Sequence, residues 1–332
     1  MANLAINGFG RIGRCALRVA WKNKAVRVVG INDLGSPEQL AYLLKYDSNY
    51  GTWNAEIKAE AGAISIDGIK IPVFAEKEPA KLPWAKLEVD VVLECTGAFR
   101  TEAAASAHIM AGAKRVVISA PGKDDSVPTY VRAVNCGKVK EEKKAVINNA
   151  SCTTNCVAPV TAVLDEVFGI EKAIMTTVHG YTASQALVDS VRPDWREGRA
   201  AAENMVPTTT GAAVAVTKTL PQLKDRFHGI SIRVPLSTVS LSDMVFLLKK
   251  NVTIDEVNAA LVKASKTPRF KGVLETSGEP LVSSDYIGNP ASATVDTQLT
   301  QVVDGNLVKV VAWYDNEWGY ANRLIEMAIL AA

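Results

Sequence analysis

Short apolar runs and helix-spaced apolar stripes alternate along the first half of the chain. The run Leu4-Ala5-Ile6 stops at Asn7, and Cys15-Ala-Leu-Arg-Val-Ala-Trp21 reads as a helix. A second run at 26–31 ends in Asn32-Asp33. Residues 37–46 read as a helix, and 62–72 as a hairpin turning at Asp67-Gly68. The near-continuous apolar runs at 90–95 and 115–119 are of the kind buried on both faces of a parallel sheet, and an Ala-rich helical stretch, 101–112, joins them. A strand end at 144–148 leads through Asn149–Cys156 into Val157, Val160, Val163, Leu164, Val167 and Phe168, which recur at helical spacing until Gly169. This alternation predicts an α/β, doubly wound parallel sheet through about residue 150.

Past Gly169 the pattern changes. Strands are predicted at 173–179, 231–235, 239–248 and 308–314, with helices at Ile254–Ser265 and 322–330. Thr208-Thr-Thr-Gly211 heads another, Ala/Val-rich helix. Strands and helices that no longer alternate predict an α+β second domain with a largely antiparallel sheet. The polar stretch 180–207 is too long to stand unsupported, which points to packing on a subunit neighbour or a cofactor.

Bulk composition narrows the class. The 332 residues are 48% hydrophobic and 22% charged, with a net charge of +2, so nothing calls for nucleic acid or an anionic membrane. Cysteines 15, 95, 136, 152 and 156 form an odd, sparse set without metal-ligand spacing, as expected in a reducing compartment. The N-terminus lacks the features of a signal peptide, and no apolar run reaches membrane-spanning length. The expectation is a cytoplasmic protein.

Candidate chemistry lies at two junctions. Gly8-Phe9-Gly10-Arg11-Ile12-Gly13 sits between a strand and a helix, the setting a dinucleotide pyrophosphate requires. Asp33 follows Gly13 by twenty residues, where a carboxylate accepts from ribose hydroxyls; the alternative is that Asp33 caps the next turn. Cys152 stands where a strand turns into a helix, and free N–H groups at a helix N-terminus lower a thiol's pKa. Its alternative is a buried structural cysteine. His179 closes a predicted strand, while His108 and His228 are assigned no role.

The chain resembles glyceraldehyde-3-phosphate dehydrogenase over nearly its whole length. The resemblance rests on residues 6–14, Leu44-Lys-Tyr-Asp47, Ala150-Ser-Cys-Thr-Thr-Asn-Cys156, Pro207-Thr-Thr-Thr-Gly-Ala-Ala213, Arg233-Val-Pro235 and Trp313-Tyr-Asp-Asn-Glu-Trp-Gly-Tyr320. It implies an NAD-binding Rossmann domain, 1–150, joined by a C-terminal helix at about 316–332, and a catalytic domain, 151–315. It also implies a homotetramer acting on glyceraldehyde 3-phosphate and inorganic phosphate. Carried over by position, Cys152 is the nucleophile and His179 its base and the electrostatic partner that favours its thiolate. Ser151, Thr153, Thr210 and Gly211 would hold one phosphate, and Thr182, Arg233 and a loop arginine the other. Arg11 and Ile12 would lie under the pyrophosphate, Asp33 at the ribose, Lys77 and Ser119 around the adenosine half, and Asn316 at the carboxamide.

The chain departs from many bacterial relatives at three places, the first being Gly180-Tyr-Thr-Ala-Ser-Gln185, where they read Ser-Tyr-Thr-Asn-Asp-Gln. Asp189-Ser190-Val191 stands where they carry Asp-Leu-Pro, which bears on the choice between NAD and weak NADP use. Arg196-Glu197 stands where they have two arginines, so Arg196 is the candidate loop arginine. Two other functions compete: an erythrose-4-phosphate dehydrogenase of the same chemistry, and a catalytically idle NAD-dependent binding protein.

Overall fold

The computed structural model describes all 332 residues. They separate into two compact units, one of Met1–Tyr130, Cys136–Ala150 and Ala321–Ala332, the other of Val131–Asn135 and Ser151–Tyr320.

The first unit runs β1 (Ala2–Asn7), α1 (Arg11–Trp21), β2 (Val26–Asn32), α2 (Pro37–Lys45), β3 (Ile57–Glu60), β4 (Ala63–Ile66), β5 (Ile69–Phe74) and β6 (Val91–Glu94). It continues with α3 (Glu102–Ala105), α4 (Ala107–Met110), β7 (Arg115–Ile118), α5 (Lys138–Glu142) and β8 (Val146–Asn148). The sheet order is β3-β4-β5-β2-β1-β6-β7-β8, parallel from β5 through β8 with an antiparallel meander at the β3 edge. Leu4, Ile6, Leu17, Ile31, Val117 and Ile147 share a core with Leu324, Ile325 and Met327 from the C-terminal segment. The stretch 101–112, expected as one helix, is two short ones. Between them the Ser106 hydroxyl bonds back to Glu102 O, and ψ at Ser106 tightens to −14°.

The second unit holds α6 (Cys152–Phe168), β9 (Ile170–Gly180), β10 (Val206–Thr209), α7 (Ala212–Thr219), β11 (Phe227–Val234), β12 (Ser240–Leu248) and α8 (Ile254–Ser265). It ends with β13 (Leu274–Ser277), β14 (Ala293–Val303), β15 (Leu307–Tyr314) and the first turn of α9 (Trp318–Ala331), which from Ala321 onward belongs to the first unit. The sheet order is β10-β11-β9-β12-β15-β14-β13, antiparallel except for β11 with β9 and β13 with β14. No helix in either unit is long and apolar enough to cross a membrane.

Registers in the second sheet place five residues on one line. Val206 of β10 pairs with Arg233 of β11, Arg233 with His179 of β9, His179 with Ser240 of β12, and Ser240 with Tyr314 of β15. Cross-strand neighbours point to the same face of a sheet, so the pairing alone gathers these side chains.

The glycine loop between β1 and α1 is built by close approach. A Cβ on Gly13 would lie 2.2 Å from Gly8 O, and Gly8 itself has φ +91°, whereas a Cβ on Gly10 would meet nothing within 4 Å. Gly13→Ala should therefore lower stability by about 1–3 kcal/mol through overpacking, against at most ~1 kcal/mol gained in helix propensity. Gly10→Ala, which only weakens a helix cap, should cost less than about 1 kcal/mol. Urea unfolding of the two variants checks the order, and equal midpoints would contradict it.

Candidate active site

Helix α6 begins at Cys152 because three local features agree. Ala150 takes the left-handed conformation at φ 53° and turns the chain out of the strand. Ser151 caps the helix, its hydroxyl accepting from Thr154 N at 3.1 Å. Asn155 Nδ2 then donates to Ser151 O at 3.0 Å. Cys152 is left partly exposed at the first helical position, while Cys156, one turn on, is fully buried.

The Cys152 sulfur lies 3.4 Å from His179 Nε2. His179 is only 4% exposed, so the pair meets at the edge of the core. Its other nitrogen, Nδ1, lies 2.6 Å from Gly180 O and 2.6 Å from Arg233 Nη1. Burial, with the adjacent guanidinium, pushes the imidazole down to about 3, so the ring is neutral at ordinary pH. A neutral ring has one proton for two nitrogens. Held at Nδ1, it is donated to Gly180 O and leaves Nε2 free to take the thiol proton. Held at Nε2, it is donated to sulfur while Nδ1 accepts from Arg233. The two partners of Nδ1 thus suit the two tautomers.

The thiol itself corrects an expectation. A helix N-terminus and a histidine were expected to lower its pKa. Burial instead pushes it up, opposed by the Arg233 charge and by hydrogen bonds from Thr153. Desolvation outweighs the guanidinium charge and these hydrogen bonds together. Burial pushes Cys156 further upward and Cys95 to about 12.

Around this pair the hydroxyls are ordered. Tyr314 Oη lies 2.8 Å from both Thr153 Oγ1 and Thr177 Oγ1, and its ring meets His179 edge-on at 6.1 Å. Ser151 Oγ is 2.7 Å from Thr154 Oγ1. Thr210 Oγ1 accepts from Ala212 N at the start of α7, beside exposed Gly211. Arg233 Nε is buried with no hydrogen-bond partner, an open donor beside the thiol pair. Thr182 Oγ1 is 3.0 Å from Ser184 Oγ, and Thr182 N donates to Gln185 Oε1. Arg196 is exposed; its N–H donates to Asp194 Oδ1, and no bond ties its guanidinium to Thr182 or Arg233. In the same loop, Arg199 pairs with Asp189 at 2.9 Å.

In the first unit, Asn7, Gly8, Gly10, Asp33, Lys77, Cys95 and Thr96 are among the residues lining a cavity of about 470 Å³. Asp33 accepts from Phe9 N at 2.7 Å and Gly35 N at 2.9 Å, so it does cap the next turn while one face of its carboxylate meets the cavity. Gly10 is open above its Cα, and the first turn of α1 presents the N–H groups of Arg11, Ile12 and Gly13. This fits a dinucleotide phosphate. The Arg11 side chain is engaged elsewhere, with Asp47 at 2.5 and 3.2 Å, which gives the last residue of the Leu-Lys-Tyr-Asp47 motif a partner. Ser119 follows β7, its N–H donating to Glu94 O at 2.9 Å.

Three features escaped sequence reasoning. Asn316 is buried, and its Oδ1 accepts from Ser240 Oγ at 3.1 Å; neither Ser240 nor Tyr314 was singled out. The signal for Ser240 was present: β12 buries Ser240, Ser242, Met244, Phe246 and Leu248 on one face, and two hydroxyls head an otherwise apolar row. The third feature lies below the cavity, where buried Glu94 accepts from Asn7 Nδ2 at 2.6 Å and from Thr96. His108 lies 3.0 Å from the same carboxylate, its Nδ1 accepting from the Trp84 indole at 3.0 Å, so its proton sits on Nε2.

A glycine-lined dinucleotide site on a doubly wound sheet, together with a paired thiol and imidazole on a mixed sheet, defines an NAD-dependent dehydrogenase. Residues 2–102 match the glyceraldehyde 3-phosphate dehydrogenase NAD binding domain, and 151–316 match the C-terminal domain of the same family. The chain is 49% identical to glyceraldehyde-3-phosphate dehydrogenase 1 of Bacillus cereus, over 99% of this chain and 98% of that protein. It is 49% identical to the Geobacillus stearothermophilus glyceraldehyde-3-phosphate dehydrogenase, over 99% and 98%, and 50% identical to that of Streptomyces coelicolor, over 98% and 97%. The chain belongs to the glyceraldehyde-3-phosphate dehydrogenase family, and its cofactor is NAD.

Iodoacetamide should modify Cys152 before any other cysteine, since it alone combines partial exposure with an imidazole at bonding distance. Burial protects Cys156. His179→Asn removes the imidazole Nε2–H that one tautomer donates to the sulfur and should move the alkylation profile to higher pH. Peptide mapping and the rate–pH curve check both, and an unshifted curve would separate His179 from the thiol.

Proposed function

We propose that the chain oxidises glyceraldehyde 3-phosphate to 1,3-bisphosphoglycerate through Cys152, and the observation that carries this is the 3.4 Å contact between Cys152 sulfur and His179 Nε2. His179 takes the thiol proton, the thiolate adds to the aldehyde carbonyl, and His179 returns the proton to the resulting alkoxide to give a thiohemiacetal. His179 then holds the hydroxyl proton as the carbon is oxidised to a thioester. NAD, when bound, supplies the acceptor for the hydride lost in that oxidation. Inorganic phosphate attacks the thioester and frees Cys152.

Two anions must be held. Ser151, Thr153, Thr210 and Gly211 supply hydroxyls and N–H groups for one, and Thr182 and Arg233 serve the other. The buried, unpartnered Nε of Arg233 supports an anion on this side. Arg196 would join only by a change of side-chain position. Asp33, Lys77, Ser119 and the glycine loop hold the adenosine half, and Asn316 the carboxamide. We place the boundary between nucleotide-binding and catalytic domains at residues 150–151. A homotetramer is supported by exposed Leu187, Val188, Val191 and Trp195 on one loop, and a cytoplasmic location by five free cysteines.

Product formation should depend on phosphate or arsenate, and His179→Asn should lower kcat by about 10²–10⁴. Steady NADH production over many turnovers in phosphate-free buffer would overturn the reading. A higher kcat/KM for erythrose 4-phosphate would redirect it to the tetrose.

NAD should be preferred to NADP. Asp33 accepts from ribose hydroxyls and repels a 2′-phosphate of nearly two charges, and exposed Leu34 offers that phosphate no donor. Ser190 offers one neutral bond, typically about 0.5–1.5 kcal/mol, which does not offset the carboxylate. Weak NADP activity should remain, and Asp33→Ala should narrow the ratio of kcat/KM between coenzymes. An unchanged ratio would clear Asp33.

A further inference from the structure

We infer that Ser240 is a positioning residue that fixes the amide of Asn316 with its Nδ2 presented as the donor, and that it ties this amide to the peptide holding His179. The inference rests on the assignment of Asn316 to the nicotinamide carboxamide.

The argument is one of proton counting. Gly180 N–H donates to Ser240 Oγ at 3.3 Å, so that oxygen is already an acceptor. Its single proton then needs an acceptor of its own, and Asn316 Oδ1 lies 3.1 Å away. Turning the amide over would set Nδ2 against Ser240 Oγ and leave the buried hydroxyl proton without a partner, which costs about 1–3 kcal/mol. The amide therefore keeps its oxygen on Ser240 and its NH₂ away from it. An NH₂ donor captures the oxygen of a carboxamide, not its nitrogen, and so selects one rotational setting of the attached ring.

The backbone gives independent support. Val239, immediately before Ser240, is 1% exposed with φ 67°, a left-handed conformation that is a true outlier for a β-branched residue. The surroundings hold this conformation although it costs energy, and it delivers Ser240 to its bonding position. Gly180 completes the link. Its N–H anchors Ser240, and its carbonyl lies 2.6 Å from His179 Nδ1. One residue thus orients both the base and the amide.

Calorimetric titration of the full-length protein with NAD and with ADP-ribose, which lacks the nicotinamide, tests the inference. Ser240→Ala should weaken NAD by about 3–10-fold, the worth of one neutral hydrogen bond, and leave ADP-ribose unchanged. Ser240→Cys, a weak donor of similar size, should fall between and provides a second variant if alanine disturbs folding. Ser240→Ala combined with Asn316→Ala should bind NAD no more weakly than Asn316→Ala alone. Equal weakening of both ligands, or additive losses in the double variant, would overturn the role of Ser240. If Asn316→Ala alone left NAD binding unchanged, the assignment of Asn316 would fail first.

Discussion

The backbone of Gly180 is the constraint on which the catalytic groups depend. A histidine at the end of a strand can swing, and an imidazole must point one nitrogen at the thiol to be of use. The Gly180 carbonyl at 2.6 Å from Nδ1 fixes that direction, and the Gly180 N–H reaches Ser240. A Cβ at this position would press to 2.9 Å from Leu236 O, so the peptide is packed closely as well as bonded. The usual support for a catalytic imidazole is a carboxylate, which would raise its basicity. Here a neutral carbonyl and a cationic guanidinium take that place. The result is a base that stays uncharged until a proton arrives from the sulfur.

Arg233 also bears on the charge of the thiol. An ion pair of thiolate and imidazolium would leave two cations, His179 and Arg233, at hydrogen-bond distance. Burial penalises each charge separately, and the guanidinium is the one that cannot lose its proton. Arg233 therefore carries the standing positive charge of the site, and His179 is a cation only while it holds a proton in transit.

Much of this was legible in the sequence, for identifiable reasons. The glycine loop, Asp33 and the sheet of the first unit follow from local spacing, because each strand is a short apolar run with a turn or helix behind it. Cys152 at a helix start follows from the strand end before it and the helix-spaced stripe from Val157 onward. What stayed hidden depends on register. Ser240, Tyr314, Arg233 and His179 lie far apart in the chain, and only strand pairing sets them side by side. Strands β3, β10, β13 and β14 were not read either: the first three span four residues each, and β14 carries a polar stretch across its middle. The thiol's upward shift was hidden for another reason, since burial is a property of the packed molecule and not of the eight-residue motif.

The line of five residues across the second sheet has a further consequence. Its members are held together by alignment, and one added or deleted residue between a strand's anchor and its site residue would turn that side chain to the opposite face. Such a change in β9, β11, β12 or β15 would remove a group from the line without altering a single site residue. Descendants of this chain can therefore explore new side chains in these strands, while their lengths are frozen. Insertions are left to the loops, of which 181–205 is the longest.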